Sequence, residues 1–473
     1  MDKIAGSVPR SCTRDEGLAP RSRFAGAGSK APQAASVKSR GGERWGKGSA
    51  RRDQLRNLLS KAKPFSIAKR EVWVAYKRVK ANQGAAGVDE QSIEGFEEDL
   101  SNNLYKLWNR MSSGSYFPPP VRRVDIPKPD GRLRPLGIPT VSDRIAQMVV
   151  KRYLEPKLEP HFHPDSYGYR PVKSAIDAVG QVSKRCWQAF WALDLDIKSF
   201  FDTIDHELLM RALRKHTDCK WVLLYIERWL TAPIRLPDGT LVEREKGTPQ
   251  GGVISPLLAN LFLHYALDKW MERHFPSIPF ERYADDVIGH CASKKQAKYL
   301  LDSIKRRLAN CRLELNLQKT KIVFCKDSYR WGRYPTESFD FLGFTFKPRL
   351  AENRDGEWFT NFAPGVSNKV AKAIRQTMRS WNLKRRTDKS LDDFARMFNP
   401  VIRGWINYYG SYYKSALYPT FQYFDFMLSK WASRKYRRLK GRQRRAWRWL
   451  RRIMQRQPDL FAHWDLLYSW AGR

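Results

Sequence analysis

The chain has 473 residues, 42% of them hydrophobic, which is enough for two or three domains with full cores. Lys and Arg number 87 against 48 Asp and Glu, and the net charge of +39 predicts a nucleic-acid partner bound in a strongly salt-dependent way. Six scattered cysteines without a C-x-x-C pair, one close histidine pair (His161, His163) and no H-E-x-x-H give zinc ribbons, zinc fingers and a Cys-ligated nuclease module no support.

No apolar run approaches the ~20 residues that span a bilayer, and the N-terminus lacks a signal-peptide core. Free thiols fit a reducing compartment, so the expected location is cytoplasmic. Residues 1–50 are rich in Gly, Ser, Ala, Arg and Lys and read as a disordered basic arm. From Arg51 to Lys80 the pattern turns helical. Alternation around Val121, Val124 and Ile126, a KPDGR turn, then Leu133, Leu136 and Ile138 predict a β-hairpin bearing Lys128, Arg132 and Arg134. Asp143 to Leu158 is helical. The segment WALDLDIKSFFDTIDHELLMRALRKH starts as an apolar strand and enters a helix near Asp205, a good N-cap.

Next come the glycine-rich loop GTPQGG with a long apolar helix, then FERYADDVIGH as strand, tight turn and strand. An amphipathic helix follows over SKKQAKYLLDSIKRRLANC, with short strands expected at Leu313–Leu315, Ile322–Phe324 and Phe339–Phe346. This order predicts an α+β fold with a ferredoxin-like split βαβ sheet and helices on one face. The stretch 348–366 reads as a Pro/Gly- and charge-rich linker. Helices are expected at Asn368–Trp381, Leu391–Phe398, Val401–Ala416 and Phe421–Ile453. The last is strongly basic, and its interleaved Trp431, Tyr436, Trp447 and Trp449 suit stacking and phosphate contact.

Asp285 and Asp286 stand side by side in an apolar, strand-like run. Adjacent buried carboxylates resist ionising together unless a cation compensates them. Asp196 ends another apolar strand, and α/β folds commonly hold ligands at such strand ends. If the two strands are neighbours, three carboxylates converge. Clustered hard oxygens select Mg²⁺, with Mn²⁺ as a substitute, and two such ions stabilise both oxygens of an in-line phosphoryl displacement. Lys128 and Arg134 suit a triphosphate, the glycines of TPQGG (Thr248–Gly252) permit close backbone approach, and Phe201 has the bulk to exclude a 2′-hydroxyl.

The motifs LDIKSFFDTIDH, GTPQGGVISPLLANLFLH, RYADD, LNLQKTK and FDFLGFTF resemble, in order, the palm motifs of reverse transcriptases, and most closely those of bacterial group II intron-encoded reverse transcriptase/maturases. GAAGVD (Gly84–Asp89) and IPKPDGRLRPLGIPTVSDRIAQ resemble the N-terminal extension and fingers, and NPVIRGWINYYG (Asn399–Gly410) resembles the maturase, or X, domain that forms the thumb. The resemblance implies a right-hand polymerase: fingers and palm over 51–347, an all-α thumb over 367–430, and a basic nucleic-acid-binding segment over 431–473. It implies Asp196, Asp285 and Asp286 as catalytic, metal-binding aspartates. Lys128, Arg134, Phe201, Gln250, Gly251 and Lys319 would bind nucleotide, Lys321 being an alternative to Lys319. Leu342 and Gly343 would form the primer grip. Arg403, Trp405, Tyr408, Arg437, Arg438, Arg444 and Arg445 are candidates for RNA contact. The implied partners are group II intron RNA, an RNA template, a DNA target or primer and deoxynucleotides, in bacterial cytoplasm and at the nucleoid when on DNA. A Cys/His-bearing nuclease domain, found in many members, is not seen before Arg473, so the resemblance is to endonuclease-lacking members.

The expected activity is RNA-directed DNA polymerisation together with help in intron splicing and mobility. Three readings stand beside it: a splicing-only RNA-binding maturase, an RNA-dependent RNA polymerase, and a related reverse transcriptase recruited to phage defence.

Overall fold

A computed structural model of the protein describes residues 63–127, 133–353 and 355–468. The basic arm, the first part of the expected Arg51–Lys80 helix, Lys128 and Arg132 lie outside the described residues. The fingers are built on helices α1 (Lys69–Asn82) and α2 (Leu100–Ser113), the hairpin β1 (Val121–Pro127) and β2 (Leu133–Ile138), and helix α3 (Val141–Leu158). The hairpin register runs from Arg122 opposite Ile138 to Pro127 opposite Leu133. Thr140 caps α3 by accepting from the Asp143 amide, and Ser174 with Asp177 closes a reciprocal capping box on α4 (Ala175–Gln188).

The palm sheet contains β3 (Trp191–Asp196), β4 (Phe280–Tyr283), β5 (Asp286–Cys291) and β6 (Lys321–Phe324) in the spatial order β4-β5-β3-β6, every neighbour antiparallel. Between β3 and β4 lie α5 (His206–Arg214), capped by Asp205, then α6 (Lys220–Thr231) and α7 (Ser255–Leu263); between β5 and β6 lies α8 (Lys294–Asn310). This is the expected ferredoxin-like order. The alternation in WALDLD explains how the strand sits. Trp191, Leu193 and Leu195 join the core formed with the fingers and palm helices, while Ala192 joins a second core on the opposite face.

That second face corrects the expectation of helices on one side only. It is covered by α4 and by a three-stranded sheet of β7 (Phe339–Phe341), β8 (Phe344–Glu352) and β9 (Trp358–Val366). The supposed linker 348–366 is therefore a β-ribbon. Its register passes Pro348 opposite Phe362 and Phe346 opposite Pro364, with Phe346 and Phe362 buried and charged residues towards its tip. Proline is tolerated there because β9, which carries Pro364, is an edge strand, and Pro348 lies beyond the end of β7, where the ribbon is two strands wide. Leu313–Leu315 forms no named strand; Leu315 makes one isolated bridge to Ile197.

The C-terminal helices are α9 (Asn368–Ser380), α10 (Leu391–Tyr409), α11 (Tyr418–Lys435), α12 (Gln443–Arg456) and α13 (Ala462–Leu467). Two helix expectations fail. Helix α10 runs through Pro400 as one piece despite the lost backbone bond, and next to the proline the Asn399 side chain ties the helix to Leu460 and Ala462. The long final helix is two, broken after Lys435 and re-entered beyond Gly441, whose φ of +70° suits glycine. Residues from Val366 to Trp464 share one core, so the expected boundary at 430/431 runs through packed structure. Trp431 is fully buried there and donates to the Arg386 carbonyl, while Tyr436, Trp447 and Trp449 pack against the same core. Those aromatics are packing residues first.

Candidate active site

Strand β3 ends at Asp196 and β5 begins at Asp286, and the two residues are direct register partners across the antiparallel pair. The Tyr283–Asp286 turn passes through Ala284 in the left-handed region, with φ +57°, which brings Asp285 round beside them. All three carboxylates line one cleft of about 770 Å³, together with Arg134, Tyr169, Phe201, Gln250, Lys319 and Leu342.

The electrostatics match crowded acids. Burial, then the neighbouring Asp285 and Asp196, pushes Asp286 up to about 7. Burial, with repulsion from Asp196, also raises Asp285. Asp194 shares the β3 face of Asp196, and burial with the charge of Asp286 lifts it to about 7. The Lys319 ammonium donates to both Asp196 oxygens at 2.8 and 3.0 Å, and Asn316 donates at 2.9 Å. Lys319 thus lies in the cleft, whereas Lys321 sits in β6 opposite Asp194.

Phe201 forms a buried wall of the cleft, and the Tyr169 ring meets it edge-on at 6.5 Å. Its carbonyl accepts from the Thr248 amide at 2.7 Å, tying the wall to the glycine-rich loop. Gln250 accepts from Arg134 Nε at 2.9 Å and faces Asp202 at 3.3 Å, so the loop and the fingers hairpin share one polar chain. Gly251 has φ +123°, and a Cβ there would fall 2.4 Å from the Gly137 carbonyl oxygen. Only glycine fits. Leu342 and Gly343, both at positive φ, make the tight turn between β7 and β8.

The candidate RNA residues divide. Arg403, Arg437, Arg438, Arg444 and Arg445 are exposed. Trp405 stacks on Trp381 at 5.7 Å. Tyr408 donates its hydroxyl to the Leu342 carbonyl at 3.0 Å, a contact between thumb and palm. Sequence reasoning missed Tyr169, Asp194 and Asn316. The aromatic–glycine–aromatic run of SYGYRP was a signal for the first, and the alternation in DLD for the second.

Among the described residues, no group of three or more His, Cys, Asp or Glu forms a ready-made metal cage. An open acidic rim is what magnesium requires when substrate phosphates complete its shell, since it is usually held by one or two carboxylates plus phosphates and water. The crowding of Asp285 and Asp286, and the ammonium already drawn to Asp196, show a donor set that calls for positive charge.

The family profile described as reverse transcriptase (RNA-dependent DNA polymerase) matches residues 126–346, and the group II intron maturase-specific domain matches residues 371–456. Protein YkfC of Escherichia coli K12 is 33% identical over 283 residues, covering 51% of this chain and 73% of that protein. The chain belongs to the group II intron-type reverse transcriptases. The group II intron-encoded protein LtrA of Lactococcus lactis subsp. cremoris is 38% identical over 203 residues, 42% of this chain and 33% of LtrA. A putative COX1/OXI3 intron 1 protein of Saccharomyces cerevisiae is 28% identical over 291 residues, 60% of this chain and 33% of that one. The match therefore spans about a third of the length of these two intron proteins. As a member of its family, the chain is an RNA-directed DNA polymerase carrying a maturase domain, and the family's chemistry uses divalent metal ions. Among the described residues, no helix is long and apolar enough to cross a membrane.

Proposed function

We propose that the cleft joins deoxynucleotides to a primer paired with an RNA template, and that the C-terminal helices hold group II intron RNA for splicing and mobility. One observation carries the reading: Asp196 and Asp286 face each other across adjacent strands with Asp285 in the same cleft. Two magnesium ions, when bound, would activate the primer 3′-hydroxyl and neutralise the departing pyrophosphate. The three aspartates would hold them.

The chain's own residues supply the rest. Arg134 brings a cation to the triphosphate from the fingers hairpin, and Lys128, outside the described residues, would add a second. Lys319 is freed from Asp196 to meet the leaving phosphates. Gln250 and Gly251 form the loop against which sugar and base rest, and Phe201 denies room to a 2′-hydroxyl. Leu342 and Gly343 seat the primer end. Positioning and charge stabilisation would carry most of the rate. The exposed arginines of α12 support the RNA-holding role, because phosphate contacts dominate such affinity.

Primer extension on an RNA template with Mg²⁺ tests the proposal. Folded protein is expected to incorporate deoxynucleotides and to lose that ability in Asp285→Asn. A folded, RNA-binding protein that incorporates nothing on any template would leave the splicing-only maturase as the better reading.

A further inference from the structure

Arg282 is fully buried in the palm and does not line the cleft itself. Its guanidinium donates to both Asp268 oxygens at 2.8 and 2.6 Å, to Asn260 Oδ1 at 3.0 Å and to the Ala284 carbonyl at 3.1 Å. Asn260 in turn donates through Nδ2 to the Gly168 carbonyl at 2.7 Å. Ala284 immediately precedes Asp285 and Asp286, and Gly168 immediately precedes Tyr169, the ring set against Phe201.

Both turns are strained in the same sense. Ala284 has φ +57° and Tyr169 has φ +58°, a region that side-chain-bearing residues enter at a cost. They are also pressed together: a Cβ on Gly168 would lie 2.4 Å from the Ala284 amide nitrogen. The backbone adds two rungs, the Tyr167 amide to the Arg282 carbonyl at 2.8 Å and the Arg282 amide to the Asp165 carbonyl at 2.9 Å.

The helix that supplies the partners is adapted to the task. Asn260 and Asp268 are eight residues apart, and in a regular α-helix that spacing overshoots two turns by roughly 80°. Here α7 passes into a π-helical turn, His264–Asp268, whose wider winding absorbs the surplus residue. Asn260 and Asp268 thereby reach the same guanidinium. A buried ion pair adds little net stability over apolar packing of the same volume. Its value lies in fixed geometry.

We propose that Arg282 and Asn260 form a buried positioning clamp that sets the distance between the Asp285–Asp286 turn and the Gly168–Tyr169 turn of the nucleotide cleft. The clamp rests on the polymerase reading above and deepens it. Arg282 touches neither substrate nor reacting atoms. It acts through Ala284 on one side and, through Asn260, on the wall that meets the nucleotide.

The test compares Arg282→Lys with Asn260→Ala in the full chain. Lysine keeps the charge beside Asp268 but lacks the planar fork that serves Asn260 and Ala284 as well. Each variant is assayed for melting temperature, primer–template affinity, kcat and KM per titrated active site, and binding of a deoxynucleotide to a dideoxy-terminated primer–template in Ca²⁺, where no turnover occurs. Arg282→Lys is expected to keep primer–template affinity while kcat falls about 10- to 100-fold, the scale of small misplacements. Asn260→Ala, which removes the bond to Gly168, is expected chiefly to weaken nucleotide binding in the stalled complex, by about tenfold. Gly168→Ala, acting from the other side of the junction, should reproduce both defects. A purely structural role would lower melting temperature and yield yet leave kcat per site and stalled-complex binding at wild-type values, and that result overturns the clamp. Wild-type protein inactive on every template would instead overturn the polymerase reading.

Discussion

The palm and the C-terminal helical region spend charge in opposite ways. In the palm, Asp268, Glu281 and Arg282 have no solvent exposure, and Asp194 and Asp286 are held in conditions that resist their ionisation. In the C-terminal region the interior is chiefly aromatic, with Phe394, Phe421, Trp431 and Trp464 fully buried around a buried carboxylate, Asp425, held by His463 and Trp464, and the arginines of α12 point outward. Buried charge costs free energy and repays it only through fixed geometry, so it marks the place where ångströms matter. Exposed charge acts over about a nanometre at physiological salt and tolerates imprecision, so it marks a surface that gathers a polyanion. One chain therefore separates reading distance from reacting distance.

The largest expected effect lies in the palm. Asp196→Asn should reduce primer extension by on the order of 10³-fold while intron RNA affinity, measured by filter binding, stays at the wild-type value; parallel loss of both would erase the division. On the other side, replacing Arg444, Arg445, Arg448 and Arg451 together by Ala should weaken RNA binding. The same change should flatten the salt dependence by roughly one logarithmic slope unit for each phosphate no longer neutralised. Extension on a short saturating template should then change little. A smaller effect is expected from Phe201→Ala. Deoxynucleotide use should persist, and discrimination against ribonucleotides should drop about tenfold, roughly 1.4 kcal/mol, as read by competition between the two sugars.

A separate effect, on stability, comes from the crowded acids. Asp286 and Asp194 are raised from 3.8 to about 7, so between those values the folded state holds protons that the unfolded state has released. Stability of the ion-free protein must then fall as pH rises through that window. Thermal melts from pH 5 to 8 should show the decline, Asp286→Asn should shallow it, and Mg²⁺ should recover more stability at the upper end.

Much of the site was legible because its parts are local. The DD pair, the strand-ending Asp196 and the Asp205 cap each sit where one strand or one helix start puts them, and alternation in WALDLD assigns their faces. What the sequence hid depends on long-range packing. Arg282 looks like any strand residue until Asp268 and Asn260 arrive from a helix with a π turn that no periodicity announces. The ribbon 348–366 was obscured because its prolines and charges lie on an edge strand or in the part only two strands wide, where they do no harm. Trp431 reads as a stacking residue because its basic neighbours dominate the local pattern, whereas its indole belongs to the core. Spacing does not separate Lys319 from Lys321; the turn after Asn316 does, carrying the first to Asp196.

Three tyrosines of the segment around the end of α10 fasten it to the palm. Tyr408 holds the carbonyl of Leu342 at the β7–β8 turn, Tyr412 holds the carbonyl of Ile176 at the start of α4, and Tyr409 lays its ring on Phe344. The turn that would seat the primer is therefore braced from the C-terminal helices, so its shape depends on side chains some sixty residues further along the chain.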